Sequence, residues 1–198
     1  MKQADVIIVG GGIQGVSLAL SAARRGLKPL IIERSALGAG ATGASYGIVH
    51  GGLRYLQTLD IPRWRRSRQA QSWYLEEFPS HVRPLRCVMP LYSGTLRSPS
   101  FFKAGLALED RLTKLFDSPS PLPPTYLLSA DEVLQDFVVP SAGLAGGACW
   151  YDAEVSDMPG LLKAMLARAG LDETAVMAPY EATRLILYNE RVSGLQVT

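Results

Sequence analysis

DVIIVGGGIQG, Asp5 to Gly15, sets four apolar residues against three consecutive glycines, with a fourth glycine three residues on. The apolar run is short and continuous, which suits a buried parallel strand. Residues Ile13 to Arg25 then carry Val16, Ala19, Leu20 and Ala23 at helical spacing, and Gly26 follows as a left-handed helix terminator. PLIIE, ending at Glu33, reads as a second strand, so the first 34 residues form a right-handed strand–helix–strand unit. Within it Gly10, Gly12 and Gly15, with Ile13 and Gln14 between, fit the spacing GxGxxG. Gly10 permits the tight turn, Gly12 lets backbone approach a pyrophosphate, and Gly15 lets helix and strand pack closely. The helix N-terminus adds N–H donors and partial positive charge. Glu33, 18 residues after Gly15, is placed to accept from ribose hydroxyls, with Arg34 beside it. The pattern points to a dinucleotide, and the acidic residue disfavours a 2′-phosphate.

Working outward, the 198-residue chain is 47% hydrophobic and 19% charged, so it is globular rather than disordered. A net charge of +2 is too small to imply nucleic acid. RWRRSR, Arg63 to Arg68, is a local basic run that suits a solvated helix face or an anionic membrane surface. The two cysteines, Cys87 and Cys149, have no metal-ligand spacing and read as reduced packing residues, with no metal expected. No leader and no apolar stretch of spanning length is present in the sequence, so the expected location is the cytoplasm.

Further along, Asp60 and Pro62 open a helix to about Phe78, with Trp64 and Trp73 expected on one packed face. Pro79 and Pro84 are expected to break the chain before a strand at CVMPLY. Phe101 to Phe116 reads as an amphipathic helix with Phe102, Leu106, Leu112 and Leu115 on one side. SPSPLPP is a rigid loop, and SADE, Ser129 to Glu132, has capping-box spacing. ACWYDAEV reads as a strand, and its Asp152 and Glu154 as part of a strand-end turn. Ser156 or Asp157 caps another helix that ends at Gly170, and the last residues form a hairpin turning at Asn189-Glu190. A lone hairpin is marginal, so the chain is expected to be the N-terminal part of a longer protein.

GATGASYGIVHGGLRYLQ, Gly40 to Gln57, separates two readings of the dinucleotide. Thr42 and Ser45 offer hydroxyls to a pyrophosphate. Gly47, Gly51 and Gly52 leave room for backbone to lie against a planar ring. A bulky tricyclic head fits such a loop, which favours FAD over NAD.

Here the chain resembles the FAD-dependent glycerol-3-phosphate dehydrogenases, within the D-amino-acid-oxidase-like flavoproteins. DVIIVGGGIQG, IIER, the ATxxS segment at Ala41 to Ser45 and above all HGGLRYL at His50 to Leu56 carry the resemblance. FFKAGLALEDRL and CWYDAEVSDMPGLL are similar to further segments of that family. The implied fold is α/β, a Rossmann-like FAD/NAD(P)-binding fold with the start of a second, mixed α+β substrate domain. The expected divisions are 1–78 for FAD binding, 79–157 for substrate, and 158–198 for a return to the first domain.

The resemblance implies that Gly10, Gly12 and Gly15 hold the FAD pyrophosphate and Glu33 its ribose. Thr42 and Ser45 are implied on the pyrophosphate side, Gly47 to Val49 near the flavin, and Ala182 against the adenine. Arg54 and Tyr55 are implied to face a small anionic substrate, glycerol 3-phosphate. His50 is either the proton acceptor or a support for the ring and backbone. A quinone acceptor and peripheral attachment to the cytoplasmic face of a membrane are further implications. One departure is Tyr46-Gly47, where that family has lysine before an aliphatic residue. SYG is similar to relatives acting on hydroxy acids or amines, which keeps that substrate class open. A non-catalytic flavin-fold fragment is the third alternative. A chain ending before the segment that closes over the flavin is expected to bind FAD weakly.

Overall fold

The computed structural model describes residues 3–52, 55, 58–94, 99–116 and 121–198. Two compact units emerge, 1–47 with 156–198, and 48–155. The first break comes before the helix of Arg63 to Arg68 rather than after it, because that helix packs on the strands of the second unit.

The first unit opens with β1 (Val6–Val9), α1 (Ile13–Ala23) and β2 (Pro29–Ile32). β1 and β2 are parallel, with Val6 opposite Pro29 and Val9 opposite Ile32. The Asp5 carboxylate accepts from Lys28 N at 2.8 Å, which pins that register at its first rung. β2 is buried throughout, whereas β1 buries only Ile8. Ile7 is 41% and Val9 64% exposed, which corrects the expectation of a buried strand. β1 pairs only with β2 among the described residues, so it is a sheet edge. Gly26, at φ +77°, ends α1 as expected, and Leu27 N closes back on Ala22 O.

The second unit begins at β3 (Ile48–Val49) and α2 (Ile61–Glu77). Asp60 caps α2 by accepting from Arg63 N at 3.1 Å. Trp64 is fully buried and Trp73 lies against Tyr74 and Phe78. Nine residues on a helix amount to about 180°, so the two tryptophans do not share a face. β4 (Val82–Tyr92) runs through Pro84 and Pro90 rather than starting after the first. It pairs only with the strand Leu144–Val155 among the described residues, and an edge strand tolerates proline because its outward side needs no N–H. α3 (Pro99–Leu115) leaves Leu115 74% exposed. Thirteen residues from Phe102 turn it about 140° off that side. β5 (Tyr126–Leu128) and α4 (Ala130–Asp136) follow, and Ser129 and Glu132 form the expected capping box.

β6 (Leu144–Val155) is the centre of an antiparallel sheet, flanked by β4 on one side and by β3 and β5 on the other. The core here includes Trp64, Leu91, Leu128, Val133, Ala148 and Cys149. Both cysteines are free thiols.

The chain then returns to the first unit with α5 (Met158–Arg168), capped by Asp157, and β7 (Val176–Met177), which extends the parallel sheet beside β2. Leu161, Leu162, Met165 and Leu166 of α5 join Val16, Ala19 and Leu20 of α1 in the core. Each of these side chains larger than alanine contributes about 1.5–3 kcal/mol by burial. β8 (Ala182–Tyr188) and β9 (Arg191–Val197) form the expected hairpin, with Asn189 and Glu190 both at positive φ. No helix among the described residues is long and apolar enough to cross a membrane.

Candidate functional site

In the first unit the C-terminal end of β1 meets the N-terminus of α1 through the three glycines. Gly10 sits at φ +102° and Gly10 N donates to Ile32 O, tying the turn to β2. A Cβ on Gly15 would lie 2.0 Å from Gly10 O, so only glycine fits between helix and turn. A Cβ on Gly12 would meet the Thr42 hydroxyl at 2.9 Å. The α1 N-cap is Gly12, which has no side chain to cap with. Thr42 supplies the cap from a distant loop: its Oγ1 accepts from Ile13 N at 3.0 Å. Sequence spacing alone gives no sign of this bond.

Glu33 is aimed at the same turn. Its Oε2 accepts from Gly11 N at 2.7 Å and its Oε1 from Ser35 N at 2.8 Å. Each oxygen keeps acceptor capacity beyond one bond. Gly10, Gly12, Ile13, Gln14, Gly15, Glu33, Arg34, Thr42 and Ser45 all line one cavity of about 790 Å³. Ala182 lies apart from that group but lines an adjoining hollow of about 290 Å³ with Gly10, Glu33, Arg34 and Tyr180. The residues fit a dinucleotide's diphosphate and adenosine: the α1 N-terminus with its backbone N–H groups, a side-chain-free approach at Gly12, and an oriented carboxylate. One role is altered. The Ser45 hydroxyl donates to Thr42 O at 2.7 Å, so its proton stays within the loop. Gly47 follows at φ +66°, with its N–H on Ser45 Oγ at 3.3 Å.

In the second unit a polar cluster surrounds His50. Asp152, on β6 and 8% exposed, has its Oδ2 2.9 Å from His50 Nδ1 and accepts from Gly51 N at 3.0 Å. Gln71 Nε2 donates to Val49 O at 2.8 Å and reaches the Asp152 carboxylate at 3.5 Å. Trp150 Nε1 stands 3.5 Å from the same carboxylate. Asp152 is thus no strand-end turn residue. It lies within the central strand, and burying a carboxylate there requires such donors. Glu154, two residues on, instead pairs with Arg83 at 2.6 Å. Burial first, then the negative charge of Asp152, pushes the Cys87 thiol up, which suits an unreactive side chain.

The glycines after His50 have a use that the sequence reading missed. A Cβ on Gly51 would lie 2.6 Å from Gln71 Oε1, and one on Gly52 would lie 2.9 Å from Ser67 Cβ and 3.1 Å from Trp64 O. They admit helix α2 rather than leaving open room. Tyr55 is half-buried, and the Arg63 guanidinium sits 5.3 Å from its ring centre. Arg54 lies outside the described residues.

A family model described as FAD dependent oxidoreductase matches residues 5–198. A glycerol-3-phosphate dehydrogenase of Synechocystis sp. is 37% identical over 152 residues, 76% of this chain and 27% of that protein. The glycerol-3-phosphate dehydrogenase of Bacillus halodurans, solved in complex with FAD, superposes with a TM-score of 0.66 at 18% identity. That match covers 99% of this chain and 30% of the other. The L-proline dehydrogenase of P. horikoshii gives 0.68 at 19% identity, over 99% and 49%. The chain spans about a third of the length of the curated relatives it matches.

Proposed function

The chain belongs to the FAD dependent oxidoreductase family, and from that premise we propose that it is part of an FAD-dependent dehydrogenase that oxidises glycerol 3-phosphate to dihydroxyacetone phosphate. The observation that carries the cofactor reading is the single cavity that gathers the glycine turn, the α1 N-terminus, Glu33 and Thr42. FAD, when bound, supplies the hydride acceptor. The N–H groups of Gly12 and Gln14 meet its pyrophosphate beside the Thr42-capped Ile13 N, and Glu33 meets the adenosine ribose. The Ala182 backbone borders the adenine, and Gly47 and Val49 border the ring. The substrate reading is supported by relatives named glycerol-3-phosphate dehydrogenase. Arg54 suits a phosphate monoester as a forked cation, Tyr55 offers an orienting hydroxyl, and His50 takes the hydroxyl proton. A quinone is the proposed electron acceptor, reached by a protein attached peripherally to the membrane.

A second reading, an FAD-dependent oxidase or dehydrogenase of a hydroxy acid or amino acid, follows from Tyr46-Gly47; Tyr46 is 97% exposed and available to a substrate. The test is anaerobic addition of glycerol 3-phosphate to the flavin-loaded protein from the complete reading frame. Loss of the oxidised flavin absorbance supports the proposal. A flavin that stays oxidised with glycerol 3-phosphate but is reduced by proline or lactate moves the assignment to the second reading.

A further inference from the structure

We propose that Asp152 is a positioning residue for His50: it holds the imidazole as the tautomer protonated on Nδ1 and leaves Nε2 as the proton acceptor. The catalytic half of this rests on the dehydrogenase reading above; the tautomer does not. A carboxylate only accepts, so the ring nitrogen facing it at 2.9 Å carries a proton. In a neutral imidazole the other nitrogen is then the lone-pair site. Burial divides the pair in the sense this needs. The His50 side chain is 60% exposed and that of Asp152 only 11%, so one end of the ring is anchored and the other is open.

The anchor is itself fixed. Gly51 N, directly after His50, donates to Asp152 Oδ1 at 3.0 Å. Val49 O, directly before it, accepts from Gln71 Nε2, which also reaches Asp152 Oδ1. The backbone on both sides of the histidine is thus held by the two buried polar side chains that meet behind it. Other ionisable groups face this cluster from its neighbours: Cys87 on β4, whose thiol senses the Asp152 charge, and Arg68 on α2, which lines the same cavity as Asp152 and Gln71. Ring and backbone are oriented together.

In the step this would serve, bound FAD would supply the acceptor for the hydride that leaves as the carbinol C–H bond breaks. The O–H bond breaks and its proton goes to His50 Nε2. The oxygen's electron pair closes the C=O bond. The imidazolium so formed keeps its Nδ1–H on Asp152 as a charge-assisted bond. Replacing Asp152 by asparagine keeps an oxygen for Gly51 N but turns an amide N–H₂ toward Nδ1. That arrangement favours the opposite tautomer, with Nε2 protonated and unable to accept.

The test is long-range ¹H–¹⁵N correlation on the ¹⁵N-histidine-labelled chain, at a pH where the ring is neutral. The chain has two histidines, so a His81→Gln variant assigns the signals. The expected wild-type result is a protonated Nδ1 and a bare Nε2 at His50, inverted in Asp152→Asn. In the flavin-loaded enzyme the same variant should slow flavin reduction by about 10²–10⁴-fold, with little change in the half-saturating substrate concentration. A wild-type His50 protonated on Nε2, an Asn variant that keeps the Nδ1 proton, or an unchanged reduction rate would overturn the proposal. Should the variant not fold, the wild-type tautomer decides. A protonated Nδ1 in a protein that glycerol 3-phosphate fails to reduce supports the positioning and sinks only the substrate reading.

Discussion

Gly51→Ala is the substitution whose outcome follows most directly from the structure. Gly51 does not occupy the left-handed region, so alanine suits its backbone and only space opposes the change. The added methyl would lie 2.6 Å from Gln71 Oε1 and 3.2 Å from its Cδ and Nε2. Comfortable non-bonded separations are about 3.5–4.0 Å, so Gln71 must retreat by roughly 0.9 Å. Its 2.8 Å bond to Val49 O then stretches beyond hydrogen-bond range. Leaving that acceptor and a buried amide without partners costs about 1–3 kcal/mol. At about 2–4 °C per kcal/mol for a chain of this size, Tm should fall by roughly 2–12 °C. The assay is urea unfolding of wild type, Gly51→Ala, Gln71→Ala and the double variant. Gln71→Ala loses the same bond but also removes the atoms the methyl would strike. In that background Gly51→Ala should cost within about 0.5 kcal/mol of nothing, giving a coupling of about 1–3 kcal/mol between two touching residues. An equal cost in both backgrounds would refute the assignment of Gly51 to the packing of α2.

Three further outcomes follow. Thr42→Val removes the acceptor for Ile13 N and should cost about 1 kcal/mol, read as a Tm drop of about 2–4 °C in a thermal melt, with weaker FAD binding. Glu190→Gly relaxes a left-handed residue at φ +61° beside Asn189 at +48°, and should raise stability by about 1 kcal/mol in urea titration. Bonds from the Ser129 backbone and hydroxyl hold the Glu132 carboxyl below its usual range. Its stabilisation of α4 is therefore complete above the ordinary carboxyl value of about 4.3 and fades as pH falls through the lowered one. Amide exchange of residues 130–136 should speed up over that acid window in wild type, and show no such dependence in Glu132→Gln.

Where one residue's chemistry settles local structure, the sequence could be read. Gly26, Asp60, Ser129, Asp157 and Asn189-Glu190 bound their elements because caps and turns are short-range devices. The glycine turn and the placement of Glu33 beside it were legible because that geometry has a fixed spacing. Long-range partners were not. Pro84 looks like a breaker until β4 is known to be an edge strand. Asp152 looks like a turn residue until β6 is central and His50, Gly51 and Gln71 converge on it from 102, 101 and 81 residues away. Thr42 was assigned to the pyrophosphate loop, but its bond to Ile13 N spans 29 residues and was not foreseeable. Gly51 shows the same limit: its glycine is required by a glutamine 20 positions on, a constraint that exists only once α2 has packed.

The FAD site proposed for the first unit rests on its cavity of about 790 Å³. The direct measurement is a fluorescence titration of FAD with the purified protein, followed by competition with ADP and with riboflavin. Saturable quenching that ADP reverses, and that Gly12→Val abolishes by filling the approach beside Thr42, is the predicted result. Quenching that riboflavin reverses and ADP does not, or that survives in Gly12→Val, would contradict it.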